Sequence, residues 1–142
     1  MNDTVALLKE CNAGCKSATN SLEQVKAYVK DRKLKELLEG YNRRHVALGD
    51  ECHSLLEDYG AREKDPSPIP AAMAKMGTDI KLTINDDTSH IANLLADGCN
   101  MGIKSLAKYK NQYKNAGEDA VHITENLMAL EMEMYNELLK FM

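Results

Sequence analysis

The chain of 142 residues contains no tryptophan, only 5% aromatic residues, and three prolines that all lie between positions 66 and 70. The aromatic and β-branched residues that favour strands do not form runs of alternating polarity. No apolar stretch approaches the roughly 20 residues that a membrane span requires. The sequence therefore argues against all-β and α/β folds and predicts an all-α protein without a membrane partner.

An excess of charge of one sign is also missing, since 18 Lys and Arg stand against 22 Asp and Glu. Binding to nucleic acid requires a basic patch, so no nucleic-acid partner is expected. The N-terminal segment MNDTVALLKE has neither the basic region nor the cleavage site of a secretory signal. We therefore expect a cytoplasmic protein, in which the four cysteines are reduced unless they hold a metal or run a redox cycle.

Four segments carry apolar residues three and four positions apart, the period of a helix with one buried face. The first helix is expected to begin near Asp3 or Thr4, either of which suits an N-cap, and the second to end at Gly60. The four predicted stripes consist of Val5, Leu8, Cys11, Cys15, Ala18, Leu22, Val25 and Val29; Leu34, Leu38, Tyr41, His45, Leu48, Cys52, Leu55 and Tyr59; Ile91, Leu95, Cys99, Gly102, Leu106, Tyr109 and Tyr113; and Ile123, Leu127, Leu130, Met134, Leu138 and Phe141.

The proline-rich segment separates two predicted hairpins within a single domain over residues 1–142. The first hairpin covers 1–60 and the second 87–142, and the connection over 61–86 is expected to cross the bundle with a short extra helix. The sequence CNAGCKS at residues 11–17 returns as CNMGIKS at residues 99–105, with five of seven positions identical. The two hairpins are therefore interpreted as duplicated halves.

This layout resembles the ferritin-like superfamily, in particular its small uncharacterised bacterial four-helix bundles. The resemblance covers nearly the whole chain and rests on the order of hairpin, crossover and hairpin. It implies a ferritin-like four-helix bundle. Metal-binding members of the superfamily supply one Glu from each of two helices and a Glu-x-x-His motif from each of the other two, which together bridge two iron ions.

The chain departs from that ligand pattern in every helix. In the first and third helices, Cys15 and Cys99 follow a glycine where rubrerythrin-like relatives place Glu. In the second helix, Asn42 takes the place of the carboxylate that would precede His45 by three residues, and in the fourth, Met134 follows Glu131 where a His would stand. The chain is therefore expected to lack a carboxylate-bridged di-iron centre, with Glu131 as its one clear inward carboxylate.

Sulfur and imidazole occupy the predicted interior instead. Cys11 and Cys15 lie one helical turn apart on the same face, and the antiparallel hairpin places Cys52 close to the level of Cys11. Thiolate and imidazole form a soft ligand set that suits zinc, cuprous copper or an iron–sulfur cluster. The candidate metal ligands are Cys11, Cys15, His45, Cys52, Cys99 and Glu131.

Two functions stay open at this point. The favoured hypothesis is a non-catalytic structural or binding bundle that forms a homo-oligomer, because buried free cysteines pack as small hydrophobes and no nucleophile or phosphate-loop motif occurs. Under this hypothesis Met132, Tyr135 and Met142 are expected on a remaining apolar surface. The alternative is a metal-binding or redox module built on the core cysteines and His45.

The missing carboxylates lead to a prediction about iron. Purified protein mixed with Fe(II) in air should oxidise it only at the background rate, because too few inward carboxylates exist to bridge an iron pair. The rate is measured by the absorbance of the ferric product. Sustained catalytic turnover would show that the motif analysis is wrong.

Overall fold

A computed structural model describes residues 2–61 and 87–142, and these ranges form helices and no strands. The elements are α1 (Asp3–Lys26), α2 (Arg32–Asp58), α3 (Thr88–Gln112), α4 (Glu118–Leu138) and a terminal 3-10 turn (Leu139–Phe141). The predicted all-α, four-helix architecture is confirmed. None of the described helices is both long and apolar enough to cross a membrane. The predicted connection and its short helix lie, apart from residue 61, outside the described residues.

The helix ends follow from capping chemistry. Asn2 is the N-cap of α1, and its side-chain oxygen accepts a hydrogen bond of 2.9 Å from the Thr4 amide. The expectation of Asp3 or Thr4 as the N-cap is therefore wrong, because Asn at the preceding position meets the same requirement. Asp87 caps α3, and Gly60 follows α2 with a φ of 68°. That left-handed conformation favours glycine and ends the helix as predicted.

Contacts between α1 and α4 show that these two helices run parallel. The Thr4 hydroxyl accepts a hydrogen bond from the Gly117 amide at 2.8 Å, and Cys11 lies 3.0 Å from the Thr124 hydroxyl. Both pairs are separated by 113 residues. A constant separation means that the two helices advance in the same direction.

The other neighbours run antiparallel. Tyr59, at the end of α2, contacts Asp119 at the start of α4, and His45, earlier in α2, contacts Glu131 further along α4. The two helices therefore run in opposite directions. The hairpin of α3 and α4 is closed by the short connection between Gln112 and Glu118. Since α2 and α3 are both antiparallel to α4, they are parallel to each other. The end of α2 and the start of α3 therefore lie at opposite ends of the bundle.

The core forms where the predicted stripes converge. Of the predicted positions, those buried are Leu8, Cys11, Cys15, Leu22, Val25, Val29, Leu34, Leu38, Tyr41, His45, Cys52, Ile91, Leu95, Cys99, Leu106, Ile123, Leu127, Leu130, Met134 and Leu138. Tyr59 is a clear exception with 42% exposure. It follows the last turn of α2, where its hydroxyl donates to Asp119 at 2.8 Å. Leu56, which precedes Tyr59 by three residues on α2, is buried. Phe141, predicted to face inward, is only half-buried.

Two carboxylates, Glu10 on α1 and Glu125 on α4, have pKa values shifted in opposite directions. Burial raises the pKa of Glu10, and the Tyr109 hydroxyl on α3 offsets part of this by donating a hydrogen bond. The ammonium group of Lys110 lies 2.9 Å from Glu125 and lowers the pKa of that carboxyl. Burial disfavours the charged form of Glu10, whereas an opposite charge favours the charged form of Glu125.

Glu10→Gln and Glu125→Gln should therefore change the pH dependence of stability with opposite signs. A raised native pKa means that the folded state binds the proton more tightly, so the contribution of Glu10 to stability falls as pH rises from the ordinary Glu pKa through the native value. A lowered native pKa means that the contribution of Glu125 is present above the ordinary pKa and is lost as pH falls through the native value.

Urea unfolding between about pH 3 and pH 7 measures both effects against the unsubstituted protein. With rising pH, the stability of Glu10→Gln should improve relative to the unsubstituted protein and that of Glu125→Gln should worsen. Trends of the same sign in the two variants would contradict the assignment.

Candidate functional site

The fold separates the six predicted ligands into two clusters, all of them buried. The thiol cluster, positioned mainly by α1 and α2, consists of Cys11, Cys15 and Cys52. The histidine cluster, positioned by α2, α3 and α4, consists of His45, Cys99 and Glu131. All four cysteines are free thiols. The two cysteines that the sequence repeat pairs, Cys11 and Cys99, therefore belong to different clusters.

In the thiol cluster, Cys11 is hydrogen-bonded to Thr124 on α4. The Thr124 hydroxyl donates to the Ala120 carbonyl at 2.8 Å and also lies 3.0 Å from the Cys11 Sγ. Either the hydroxyl or the thiol can donate in the contact between Thr124 and Cys11. This contact ties Cys11 to the side chain of Thr124 on α4.

Cys52 links the other two thiols through hydrogen bonds to both Cys11 and Cys15. The bond with Cys52, together with burial, raises the pKa of Cys11 above its ordinary range. The bond with Cys11 lowers the pKa of Cys52, but the bond with Cys15 and burial outweigh it and raise that pKa to about 12. Burial and the bonds between the thiols therefore favour the neutral forms of Cys11 and Cys52.

His45 is held from both ring nitrogens in the histidine cluster. Its Nδ1 lies 2.7 Å from the Tyr41 carbonyl oxygen one turn earlier in α2. A carbonyl can only accept, so Nδ1 carries a hydrogen and donates it. Nε2 forms a hydrogen bond with the Glu131 carboxylate from α4. This second bond joins the two hairpins inside the bundle.

Glu131 has a second partner in Cys99 on α3, which is hydrogen-bonded to the carboxylate. Burial, followed by the charge and hydrogen bond of Glu131, raises the pKa of Cys99. A Cβ at Gly102 would lie 3.7 Å from the Glu131 Oε2, so the absence of a side chain on α3 leaves room for the carboxylate. The buried carboxylate is thus satisfied by an imidazole and a thiol.

Two openings reach His45. A small one of about 30 Å³, close to the volume of one water molecule, lies where all four helices meet. It is lined by Ala18, Ser21, Leu22, His45, Leu95, Gly98, Cys99, Glu131 and Met134. A larger one of about 270 Å³, here called the α1–α2 cleft, lies between α1 and α2. It is lined by Asn12, Cys15, Lys16, Thr19, His45, Val46, Gly49, Asp50 and His53.

Within the two described ranges, no group of three or more His, Cys, Asp or Glu is arranged so that it could hold a metal ion. The ligands that the sequence suggested as one site lie in two clusters, and hydrogen bonds within each cluster use their polar atoms. The metal-binding role of Cys11, Cys15, His45, Cys52, Cys99 and Glu131 stays a prediction without supporting geometry in these ranges.

Sequence reasoning missed two partners in these clusters, Thr124 and the Tyr41 carbonyl. Thr124 lies on the same face of α4 as Leu127 and Glu131, at the spacing of the core stripe, so its burial could have been predicted from that pattern. Its contact with Cys11 depends on the parallel packing of α1 and α4. The carbonyl of Tyr41 could not be identified from side-chain pattern alone.

No protein-family model, curated protein or solved structure matches this chain. The function must therefore be argued from the chemistry of its own residues.

Removing Glu131 should be strongly destabilising, because it leaves His45 buried without its partner. Breaking a buried pair in this way typically costs about 3–5 kcal/mol, and we expect Glu131→Ala to lower the free energy of unfolding by that amount. Chemical denaturation monitored by circular dichroism provides the measurement.

The matched control is Glu133→Ala, which breaks the pair of Arg44 and Glu133 between the same two helices. Both of those side chains are about half exposed, and their ions are 2.7 Å apart. Exposed pairs contribute little, so this variant should have almost unchanged stability. The double variant His45→Leu with Glu131→Leu should recover much of the loss. Equal costs for Glu131→Ala and Glu133→Ala would contradict the importance of the buried pair.

Proposed function

We propose that this protein is a non-catalytic, ferritin-like helical bundle that works as a homo-oligomer in a structural or binding role. The parallel course of α2 and α3 supports a ferritin-like fold. Two hairpins that are joined by one long crossover require these two helices to be parallel. Within each of the two interior clusters, the polar groups form hydrogen bonds with one another. These bonds support a structural role for the interior. The observation that carries the proposal is an apolar stripe on the surface of α4.

This stripe, here called the α4 stripe, consists of Met128, Met132 and Tyr135 on α4, Leu139 in the terminal 3-10 turn, and Met142 directly after that turn. Successive members are four, three, four and three residues apart, which is the spacing of a coiled-coil seam. Met132, Leu139 and Met142 are 46%, 44% and 49% exposed. The centre of the bundle core uses other α4 side chains, including Leu127 and Met134, and Met128 and Tyr135 of the stripe pack against the edge of that core. The same helix thus has a second apolar face, and exposed apolar patches of this kind mark interfaces.

The spacing of the stripe fits a second copy of the same helix. From Met132 to Met142 the steps are three, four and three residues, so the pattern reads identically in both directions. In an antiparallel pair related by a two-fold axis, Met132 of one copy faces Met142 of the other, and Tyr135 faces Leu139. Such an interface is isologous, with one surface complementary to itself.

The charges beside the stripe are consistent with a neutral apolar partner surface. Glu133 is paired with Arg44 at 2.7 Å, and Lys140 is paired with Glu137 at 3.1 Å, all within one chain. A strongly charged partner would have to compete with these pairs. A second copy of the chain that presents the same apolar residues does not have to break these ion pairs.

Sedimentation velocity at tens of micromolar protein should show a dimer or higher oligomer, and Met132→Glu should shift it to monomer. In the antiparallel arrangement the double variant Met132→Glu with Met142→Lys places opposite charges across the interface, so it should associate again. Val46→Glu is the matched control, because Val46 is also 46% exposed but lies on α2 outside the stripe. A monomeric unsubstituted protein would overturn the proposal.

A further inference from the structure

Two methionines of the α4 stripe present their side chains to solvent. Met132 is 46% exposed and Met142 is 49% exposed, whereas Met134, two residues after Met132 on the same helix, is only 3% exposed. All four cysteines are buried in the interior. A water-soluble oxidant that reaches this surface of a single chain therefore meets the sulfurs of Met132 and Met142, while the core shields that of Met134.

The thioether of methionine reacts with peroxide without having to ionise. Its sulfur attacks one oxygen of hydrogen peroxide, the O–O bond breaks, and a sulfoxide forms. The hydrogen on the attacked oxygen passes to the departing hydroxide, which leaves as water. The sulfur loses two electrons and the peroxide gains them, so no further reactant is needed. A polar S–O group then stands where the side chain was apolar.

This change affects the contact between copies that the α4 stripe is proposed to form. In the antiparallel pair, Met132 of one copy faces Met142 of the other, so each of these two contacts consists of methionines alone. A methionine side chain cannot donate a strong hydrogen bond. A sulfoxide oxygen buried there would leave water without gaining a donor from the facing methionine, and burying a polar group in this way is unfavourable.

We propose that Met132 and Met142 are oxidation sites, and that their conversion to sulfoxides by hydrogen peroxide dissociates the homo-oligomer. The inference rests on the oligomer proposed above, since it names a modification that controls the same surface. Peroxide reacts with the dissociated chain, in which both sulfurs are exposed, and the oxidised chain associates less tightly. Oxidation therefore draws the equilibrium toward the monomer.

The rate of oxidation should depend on protein concentration. Association covers the sulfurs, so Met132 should be oxidised more slowly as the protein concentration rises through the range of association. In the Met132→Glu variant, which is expected to be monomeric, the oxidation rate of Met142 should not change with protein concentration. Peptide mass spectrometry follows both rates through the gain of about 16 Da that accompanies each sulfoxide.

The closing experiment compares sedimentation velocity of the full chain before and after treatment with hydrogen peroxide, which catalase then removes. We expect sulfoxides at Met132 and Met142, an unmodified Met134, and a dissociation constant for self-association that rises by at least about tenfold. Reduction by the two methionine sulfoxide reductases, one for each epimer, should restore association.

The matched control is the double variant Met132→Leu with Met142→Leu, because leucine conserves the apolar volume of methionine and cannot form a sulfoxide. It should associate like the unsubstituted protein and stay associated after the same treatment, whichever other methionines of the chain are oxidised. Dissociation of this variant by peroxide would overturn the proposal, because the responsible sites would lie elsewhere.

The proposal is also overturned if both sulfoxides form without weakening association, or if Met134 is oxidised as fast as Met132. Neither of these results contradicts the oligomer, which sedimentation of the untreated protein tests separately. An untreated protein that stays monomeric at every concentration contradicts the oligomer, and the present inference then fails with it. In that case the oxidation rate of Met132 would be independent of protein concentration.

Discussion

The hydrogen bond between His45 and Glu131 is the interaction on which the interior of this bundle depends. It ties α2 to α4, and so connects one hairpin to the other through two ionisable side chains in an apolar core. Taking such groups out of water is costly, and the cost is offset only when the pair is well placed and its other polar atoms are satisfied. The Tyr41 carbonyl and the Cys99 thiol provide those additional bonds.

This pair also constrains the surrounding helices. Gly102 leaves α3 without a side chain beside the carboxylate, and Thr124 lies on the same face of α4 two turns before it. A rotation of α4 that withdrew Glu131 would also withdraw Thr124 from Cys11 and break the contact between α1 and α4. The two clusters are therefore coupled through one helix, although they share no side chain.

Most of the fold follows from local patterns in the sequence. The three–four spacing of apolar residues predicted the four helices and most buried positions, and Gly60 predicted the end of α2. His45 and Glu131 were each predicted to face inward. Their pairing was not, because it depends on the rotation of α4 against α2. The division of the cysteines was missed for a similar reason: the repeat makes Cys11 and Cys99 equivalent in sequence but gives them different neighbours in space.

The surface chemistry was harder to predict than the core. Met132 and Met142 were expected on a remaining apolar face, and the structure shows both about half exposed. The α1–α2 cleft could not be foreseen, since it arises from the packing of two helices around Gly49. The hydrogen bonds within the two interior clusters and the exposed apolar residues near the end of α4 are the two features on which the proposal of a homo-oligomer rests.

The state of the His45 ring tests the central claim most directly. Protein labelled with ¹⁵N-histidine, compared with a His45→Gln variant to assign the signal among four histidines, should show a protonated Nδ1 whose hydrogen exchanges slowly with water, because it is donated to the Tyr41 carbonyl. A downfield proton shared between Nε2 and Glu131 should accompany it. A His45 ring whose nitrogen-bound hydrogens exchange as rapidly as those of an exposed histidine would contradict the account.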